Sequence, residues 1–251
     1  MNWIHPTSDL YPGLRLLWQE AFRDSDAFLD HFWRTGFASE RCLCAEKEGM
    51  VCAALYWFDC FCDGKKLAYL YAVATKKSHR GQGLCRQLMA KTLTVLKAGG
   101  YAGALLCPEN EGLFAMYRKM GFCHTLFHRE FTALSGETSV ALRSVDSAEY
   151  ARLRREYLPA GGVVQEGESL AFLEGFASFY AGTGFLLAAR QEDNRLFAME
   201  LLGDAAFAPG ILTAWNIPEG TFRVPGENRP FALYAPLEEG NVPNYFGLAF
   251  D

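Results

Sequence analysis

The sequence predicts a mixed α/β (α+β) fold with a mostly antiparallel sheet, and three observations carry that expectation. Residues 42–75 alternate apolar runs with tight turns, the pattern of a strand meander. The last of these runs, Tyr69-Leu-Tyr-Ala-Val-Ala-Thr75, meets a glycine turn that opens directly into an amphipathic helix. From Gly103 onward a strand, a helix cap, a helix and another strand follow in that order.

Taken along the chain, Leu14, Leu17, Trp18, Ala21 and Phe22 have helical spacing. Asp24-Ser-Asp then caps a second helix carrying Phe28, Leu29, Phe32 and Trp33. Cys42–Glu46, Val51–Phe61 and Leu67–Thr75 read as successive strands, joined by the turns Lys47-Glu-Gly49 and Asp63-Gly64. Cys85, Leu88, Met89, Thr92, Val95 and Leu96 form one helical face, which ends at Gly99-Gly100 after Lys97 has put a positive charge in the last turn. Gly103–Cys107 is a short apolar strand stopped by Pro108. Asn110-Glu111 supplies the cap and first-turn acid of a helix bearing Leu113, Phe114 and Tyr117, which Gly121 closes before a strand over Phe122–Ala133.

The glycine turn is a phosphate cradle by its chemistry. Glycines let the backbone approach a ligand closely, and the unpaired N–H groups of the helix start, with the positive dipole end, face a bound anion. It is neither a P-loop, which needs Gly-x-x-x-x-Gly-Lys-Ser/Thr, nor the dinucleotide fingerprint, whose third glycine is replaced here by Arg86. Arg80-x-x-Gly83-x-Cys85 after a strand resembles instead the Arg-x-x-Gly-x-Gly/Ala pyrophosphate loop of the GNAT superfamily of N-acetyltransferases, departing from it at Cys85. Asn110 to Gly121-Phe122, with Tyr117-Arg-Lys-Met inside it, resembles the Asn-x-x-Ala-x-x-x-Tyr-x-x-x-Gly-Phe segment of the same superfamily. The resemblance covers roughly residues 1–134 and implies the GNAT fold, with acetyl-CoA as co-substrate.

Composition is that of a globular chain. Of 251 residues 50% are hydrophobic and 21% charged, and no apolar run approaches the roughly 18 residues of a membrane span. The start lacks the basic and apolar regions of a secretory leader, so a cytoplasmic protein without a membrane partner is expected. All eight cysteines precede residue 124 in apolar contexts and read as buried free thiols. Cys42-x-Cys44 and Cys60-x-Cys62 lack the spacing of zinc knuckles, so no metal is expected. Through Ser135 the chain has 16 basic and 13 acidic residues, and beyond it 8 and 16, with no lysine. The basic half suits a polyphosphate ligand and the acidic half argues against nucleic acid.

After Leu134–Ser139 the chain begins again. An offset of 144 sets Phe28–Phe32 on Phe172–Phe176, Leu43–Ala45 on Leu187–Ala189, and Val51–Leu55 near Leu196–Leu202. The same offset puts a second cradle at Glu219–Glu227, where the glycine turn and helix pattern are missing. Pro230–Leu237 and Asn244–Phe250 read as strands. The expected organisation is therefore an acetyltransferase domain over 1–134 and a degenerate GNAT-like or β-rich domain over 135–251 that covers the acceptor side.

Acetyl transfer from a thioester needs a held carbonyl, a neutral amine, an oxyanion donor and a proton for the leaving thiolate. The resemblance assigns backbone groups of Val73, Ala74 and Thr75 to the pantetheine arm and the thioester carbonyl. Arg80, Gly81, Gln82, Gly83, Leu84, Cys85 and Arg86 fall to the pyrophosphate, Asn110 to the pantetheine, and Tyr117 to the catalytic acid. Proton transfer from a tyrosine to a thiolate is uphill by roughly 2 kcal/mol in water, and deprotonating a lysine-type amine at pH 7 costs about 4–5 kcal/mol. The base that relieves the second cost is not singled out among Glu46, Glu109, His124 and the terminal carboxylate of Asp251. His5, His31, His79 and His128 read as structural or surface residues. The acceptor expected is a small-molecule amine, beside an aromatic set of Phe32, Trp33, Tyr56, Trp57, Tyr69 and Tyr71; a homodimer is the assembly considered. An acyl-CoA-binding sensor without catalysis and a protein or peptide N-acetyltransferase stay open as alternatives.

Overall fold

The computed structural model describes residues 1–250, and the chain divides into two compact units. Unit 1 is Met1–His124 together with Leu233–Gly240; unit 2 is Thr125–Ala232 together with the stretch from Asn241. The division differs from the expected 1–134 and 135–251, because Leu233–Gly240 returns to the first unit from far along the chain.

Unit 1 contains β1 (Asn2–Ile4), α1 (Tyr11–Phe22), α2 (Asp26–Thr35), β2 (Cys42–Lys47), β3 (Met50–Cys62), β4 (Lys65–Thr75), α3 (Leu84–Ala98), β5 (Gly103–Leu106) and α4 (Glu111–Arg118). β1 to β4 pair antiparallel in sequence order, and β4 pairs β5 in parallel. On its other side β5 takes an antiparallel partner, Leu233–Pro236, with Leu233 opposite Leu106 and Pro236 opposite Gly103.

Side-chain alternation gives the sheet two buried faces. Leu43, Leu55, Trp57 and Leu70 point to the face covered by α3, where they meet Leu84, Leu88, Met89 and Leu96. Tyr56 and Tyr71 point to the other face, where Trp18 of α1 lies 5.2 and 5.6 Å from their rings and 4.6 Å from Phe32 of α2. α2 starts where the sequence places it, with the Ser25 hydroxyl accepting the Phe28 N–H at 3.2 Å. Trp57 therefore leaves the expected acceptor-side aromatic set. It lies on the α3 face and donates to the Tyr101 hydroxyl at 3.2 Å.

Unit 2 contains β6 (His124–Leu134, from Thr125), β7 (Leu142–Val145), α5 (Ser147–Tyr157), α6 (Glu168–Leu173), β8 (Ser178–Gly182), β9 (Phe185–Glu192), β10 (Arg195–Gly203), α7 (Ala208–Ala214) and β11 (Glu219–Pro236, to Ala232). β7, β8, β9 and β10 pair antiparallel in order, and β10 pairs β11 in parallel. Strand directions and the placing of helices thus repeat β1 to β5. The counterpart of β2 is β8, however, and that of β3 is β9, so the fixed offset of 144 slips by one strand. Its match of α2 with α6 holds. β9 and β10, with 8 and 9 residues, are shorter than β3 and β4, with 13 and 11, which no constant offset can follow, and apolar strands resemble one another too closely to reveal the slip.

A buried ion pair organises unit 2 and has no sequence signature. Glu200 on β10 receives Arg154 Nε at 2.7 Å and its terminal nitrogen at 2.9 Å, the Tyr150 hydroxyl at 2.9 Å and the Tyr245 hydroxyl at 3.1 Å. All four groups are buried. Removing one partner would leave an uncompensated charge in the core, which typically costs 3–5 kcal/mol.

Candidate active site

The site is built where β4 loses its neighbour. β4 and β5 are paired only from Leu67 opposite Gly103 to Tyr69 opposite Leu105, so Leu70–Thr75 runs on without a partner on that side. On the β3 side the register jumps between Ala54 opposite Ala74 and Tyr56 opposite Tyr71, which makes Ala72-Val73 a bulge against Leu55. Ala72 sits at φ 49°, a left-handed conformation that costs a non-glycine residue roughly 1–2 kcal/mol. The bulge and the missing neighbour leave the backbone of Val73–Thr75 as a polar strand edge.

The glycine turn lies at the end of this strand. Gly81 and Gly83 have φ of +74° and +76°; a Cβ added at Gly81 would meet nothing within 4 Å, and one at Gly83 only the Gln87 amide at 3.9 Å. The turn is thus an open cradle that side chains would fill. α3 begins with no side-chain cap and no acidic residue in its first turn, and its first helical bond is Gln87 N–H to Gly83 C=O at 3.1 Å. The N–H groups of Leu84, Cys85 and Arg86 consequently have no backbone acceptor among the described residues, and the helix dipole adds positive potential there. These features fit a pyrophosphate.

Braces hold the turn in place. Arg80 Nε donates to the Thr75 carbonyl at 3.0 Å, Gln82 to the Ser78 carbonyl at 3.3 Å, and the Lys77 N–H to Glu20 of α1 at 2.5 Å. Arg86 reaches the Lys119 carbonyl, beyond α4, at 3.4 Å. Arg80 and Gln82 spend part of their donor capacity on the loop itself.

α4 carries the remaining residues. Asn110 caps it, its side-chain oxygen accepting the Leu113 N–H at 3.1 Å, which leaves the amide NH₂ for a ligand. Tyr117 is 7% exposed, packs on Phe122 at 6.0 Å, and its hydroxyl has no hydrogen-bond partner among the described residues. Burial, and then the neighbouring Cys85 thiol, push its pKa above the ordinary value of 10.0, so it is protonated at neutral pH. Burial also raises the Cys85 pKa and keeps that thiol neutral. The departure from the motif at Cys85 therefore puts a small uncharged group beside the phenol.

The base candidates stay undivided. Glu46 is engaged by the Gly49 N–H and by Asn2 Nδ2 at 2.8 Å, which hold its pKa below the usual range and weaken it as a base. Glu109 is exposed, and the His124 ring lies 6.3 Å from that of Tyr234. Asp251 lies outside the described residues. All eight cysteines are free; five are buried, Cys85 and Cys107 are half-buried, and Cys123 is exposed.

Unit 2 keeps the corresponding strands without the site. The position expected for a second cradle, Glu219–Glu227, lies within β11, while the topological counterpart of the turn follows β10 at Gly203-Asp204. There the Asp204 carboxylate accepts the Ala206 N–H at 2.8 Å, and α7 is only seven residues long. β10 and β11 pair only from Arg195 opposite Glu219 to Ala198 opposite Phe222. Beyond that, Tyr245–Phe250 lies buried, reaching from Glu200 on β10 to Phe231 on β11. Tyr245–Phe250 thus packs where β10 and β11 part.

Residues 4–125 match the family model of an acetyltransferase (GNAT) domain. Among solved structures the chain is similar to a GCN5-related N-acetyltransferase from Kribbella flavida, at 16% identity and a TM-score of 0.69 over 93% of this chain and 70% of that one. It is similar as well to a probable N-acyltransferase from Enterococcus faecalis, at 13% identity and a TM-score of 0.70 over 94% and 72%. A tandem GNAT protein from clavulanic acid biosynthesis aligns over 96% of this chain and 99% of its own, at 10% identity and a TM-score of 0.54. At these identities the likeness is one of fold. No curated protein gives a significant match. No helix among the described residues is long and apolar enough to cross a membrane.

Proposed function

We propose, from the match of residues 4–125 to the family model of a GNAT acetyltransferase domain, that the protein is an N-acetyltransferase moving the acetyl group of acetyl-CoA onto the amine of a small molecule. The observation that carries this reading is the conjunction, in one unit, of an open uncapped glycine cradle, a bulged strand edge without a partner, and a protonated tyrosine whose hydroxyl is unengaged.

The amides of Gly81–Arg86 take the pyrophosphate and the edge Val73–Thr75 takes the pantetheine, assisted by the Asn110 amide. The amine attacks the thioester carbonyl, whose oxygen draws on a backbone N–H at the bulge. When the C–S bond breaks, Tyr117 gives its proton to the sulfur. Burial raises the pKa of the phenol and makes it a weaker acid than in water, so positioning against the departing sulfur has to lower the barrier. The amine proton leaves to a base or to water. Of the acceptor-side aromatics, Phe32 and Tyr56 are buried and packed with Trp18 between α1, α2 and the sheet, and the amine panel below decides between a small molecule and a peptide. A non-catalytic acyl-CoA sensor would have no use for a protonated hydroxyl at Tyr117.

Incubation of the protein with acetyl-CoA and a panel of primary amines, following thiol release, tests the reading. Amine-dependent release that Tyr117→Phe suppresses is expected. Tight acetyl-CoA binding with no release across aliphatic, aromatic and amino-acid amines would favour the sensor.

A further inference from the structure

α7 covers the β8–β10 face of unit 2 with seven residues where α3 covers its sheet with fifteen. At 1.5 Å per residue the covering helix is shorter by about 12 Å. Part of the uncovered area is a cavity of about 430 Å³, within the size range of small-molecule sites. Ala189 and Leu196 form its apolar floor, Trp215 and Tyr180 form a wall with their rings 4.7 Å apart in a T, and Glu174 stands on the lining.

Charge selects the ligand. Arg190, the cation on the lining, is paired with Glu192 at 2.8 Å and lies over the Phe197 ring at 4.7 Å. Glu174 has no basic partner in an ion pair among the described residues; one of its oxygens accepts the Ser147 N–H at 2.9 Å. The lining thus sets two aromatic rings and the Glu174 carboxylate among polar groups, and an aromatic face attracts a cation as the carboxylate does. We propose that this cavity is a binding site for a small organic cation, an amine or quaternary ammonium with an apolar body. It is independent of the glycine cradle in unit 1.

The experiment is a titration of the full chain with choline and with its uncharged isostere 3,3-dimethylbutan-1-ol, followed by calorimetry and tryptophan fluorescence. Choline should saturate, and the alcohol should bind about three- to thirty-fold more weakly, the range expected for a cation against an aromatic wall. Glu174→Gln, which keeps an oxygen for Ser147, and Trp215→Leu should each weaken choline several-fold, while Gly83→Glu in the cradle of unit 1 should leave it unchanged. Equal binding of the two probes, which would make the cavity merely apolar, overturns the proposal. So does choline affinity unchanged in folded Glu174→Gln, or the absence of saturable binding.

Discussion

Gly103→Ala should destabilise the protein, and should do so through one residue 131 positions away. Gly103 opens β5 opposite Pro236, and a Cβ built on it falls inside the ring of Tyr234, against Cε2, Cζ and the hydroxyl oxygen. Tyr234 is 3% exposed and its hydroxyl points at the Ala102 carbonyl, so the ring cannot swing clear into solvent. Overpacking of this kind costs about 1–3 kcal/mol. At about 2–4 °C per kcal/mol for a chain of this size, the melting temperature should fall by roughly 2–12 °C. Tyr234→Ala carries its own cost of about 3–5 kcal/mol for an emptied aromatic site. Once the ring is gone Gly103→Ala should cost almost nothing further, so a double-mutant cycle by urea unfolding should give a coupling of about 1–3 kcal/mol. Equal cost of Gly103→Ala in both backgrounds would refute the pairing of Leu233–Pro236 with β5.

Gly83→Glu puts a side chain and a negative charge into the cradle and should abolish acetyl-CoA binding by calorimetry; it meets no clash and carries only the roughly 1–2 kcal/mol of a left-handed non-glycine residue, so the variant should stay folded. Tyr117→Phe should keep acetyl-CoA affinity and lower turnover about 10²- to 10⁴-fold, and a loss of only a few-fold would remove the acid role. His128 is buried with neither ring nitrogen hydrogen-bonded, and burial, then Arg223 and Arg229, lower its pKa from 6.5 to about 4. The unfolded chain takes up that proton first, so stability present above pH 6.5 should be lost as the pH falls toward 4, and His128→Leu should flatten that part of the stability profile. A fragment ending at Ser135 lacks Leu233–Gly240, and circular dichroism should find it without cooperative unfolding; a fragment that melts cooperatively and binds acetyl-CoA would show that β5 manages without its late partner.

Much of unit 1 is legible because local signals and tertiary need coincide there. Gly81 and Gly83 occupy backbone conformations that favour glycine, Asn110 and Ser25 cap the helices that follow them, and the hairpin turns fall at Gly49 and Gly64. The bulge at Ala72-Val73 leaves no such trace, since alanine and valine are ordinary strand residues and the kink is imposed by the strands around them. The same holds for the exchange of Leu233–Pro236, which reads as an apolar strand whichever sheet receives it. Glu200 and Arg154 are 46 residues apart, and nothing local marks them as partners. Trp57 departs from the expected aromatic set because neighbours on a strand point to opposite sides, so it and Tyr56 cannot share a face.

The late arrival of Leu233–Pro236 bears on how the protein is made. When β5 has left the ribosome, its outer edge must wait for 127 more residues, the distance from Leu106 to Leu233. At about 5–20 residues per second that is a delay of roughly 6–25 s, during which an apolar strand edge and the surface that will hold Leu233 and Ala235 face solvent or a chaperone. Synthesis slowed within residues 107–232 should therefore lower the soluble yield more than the same pause placed after residue 240.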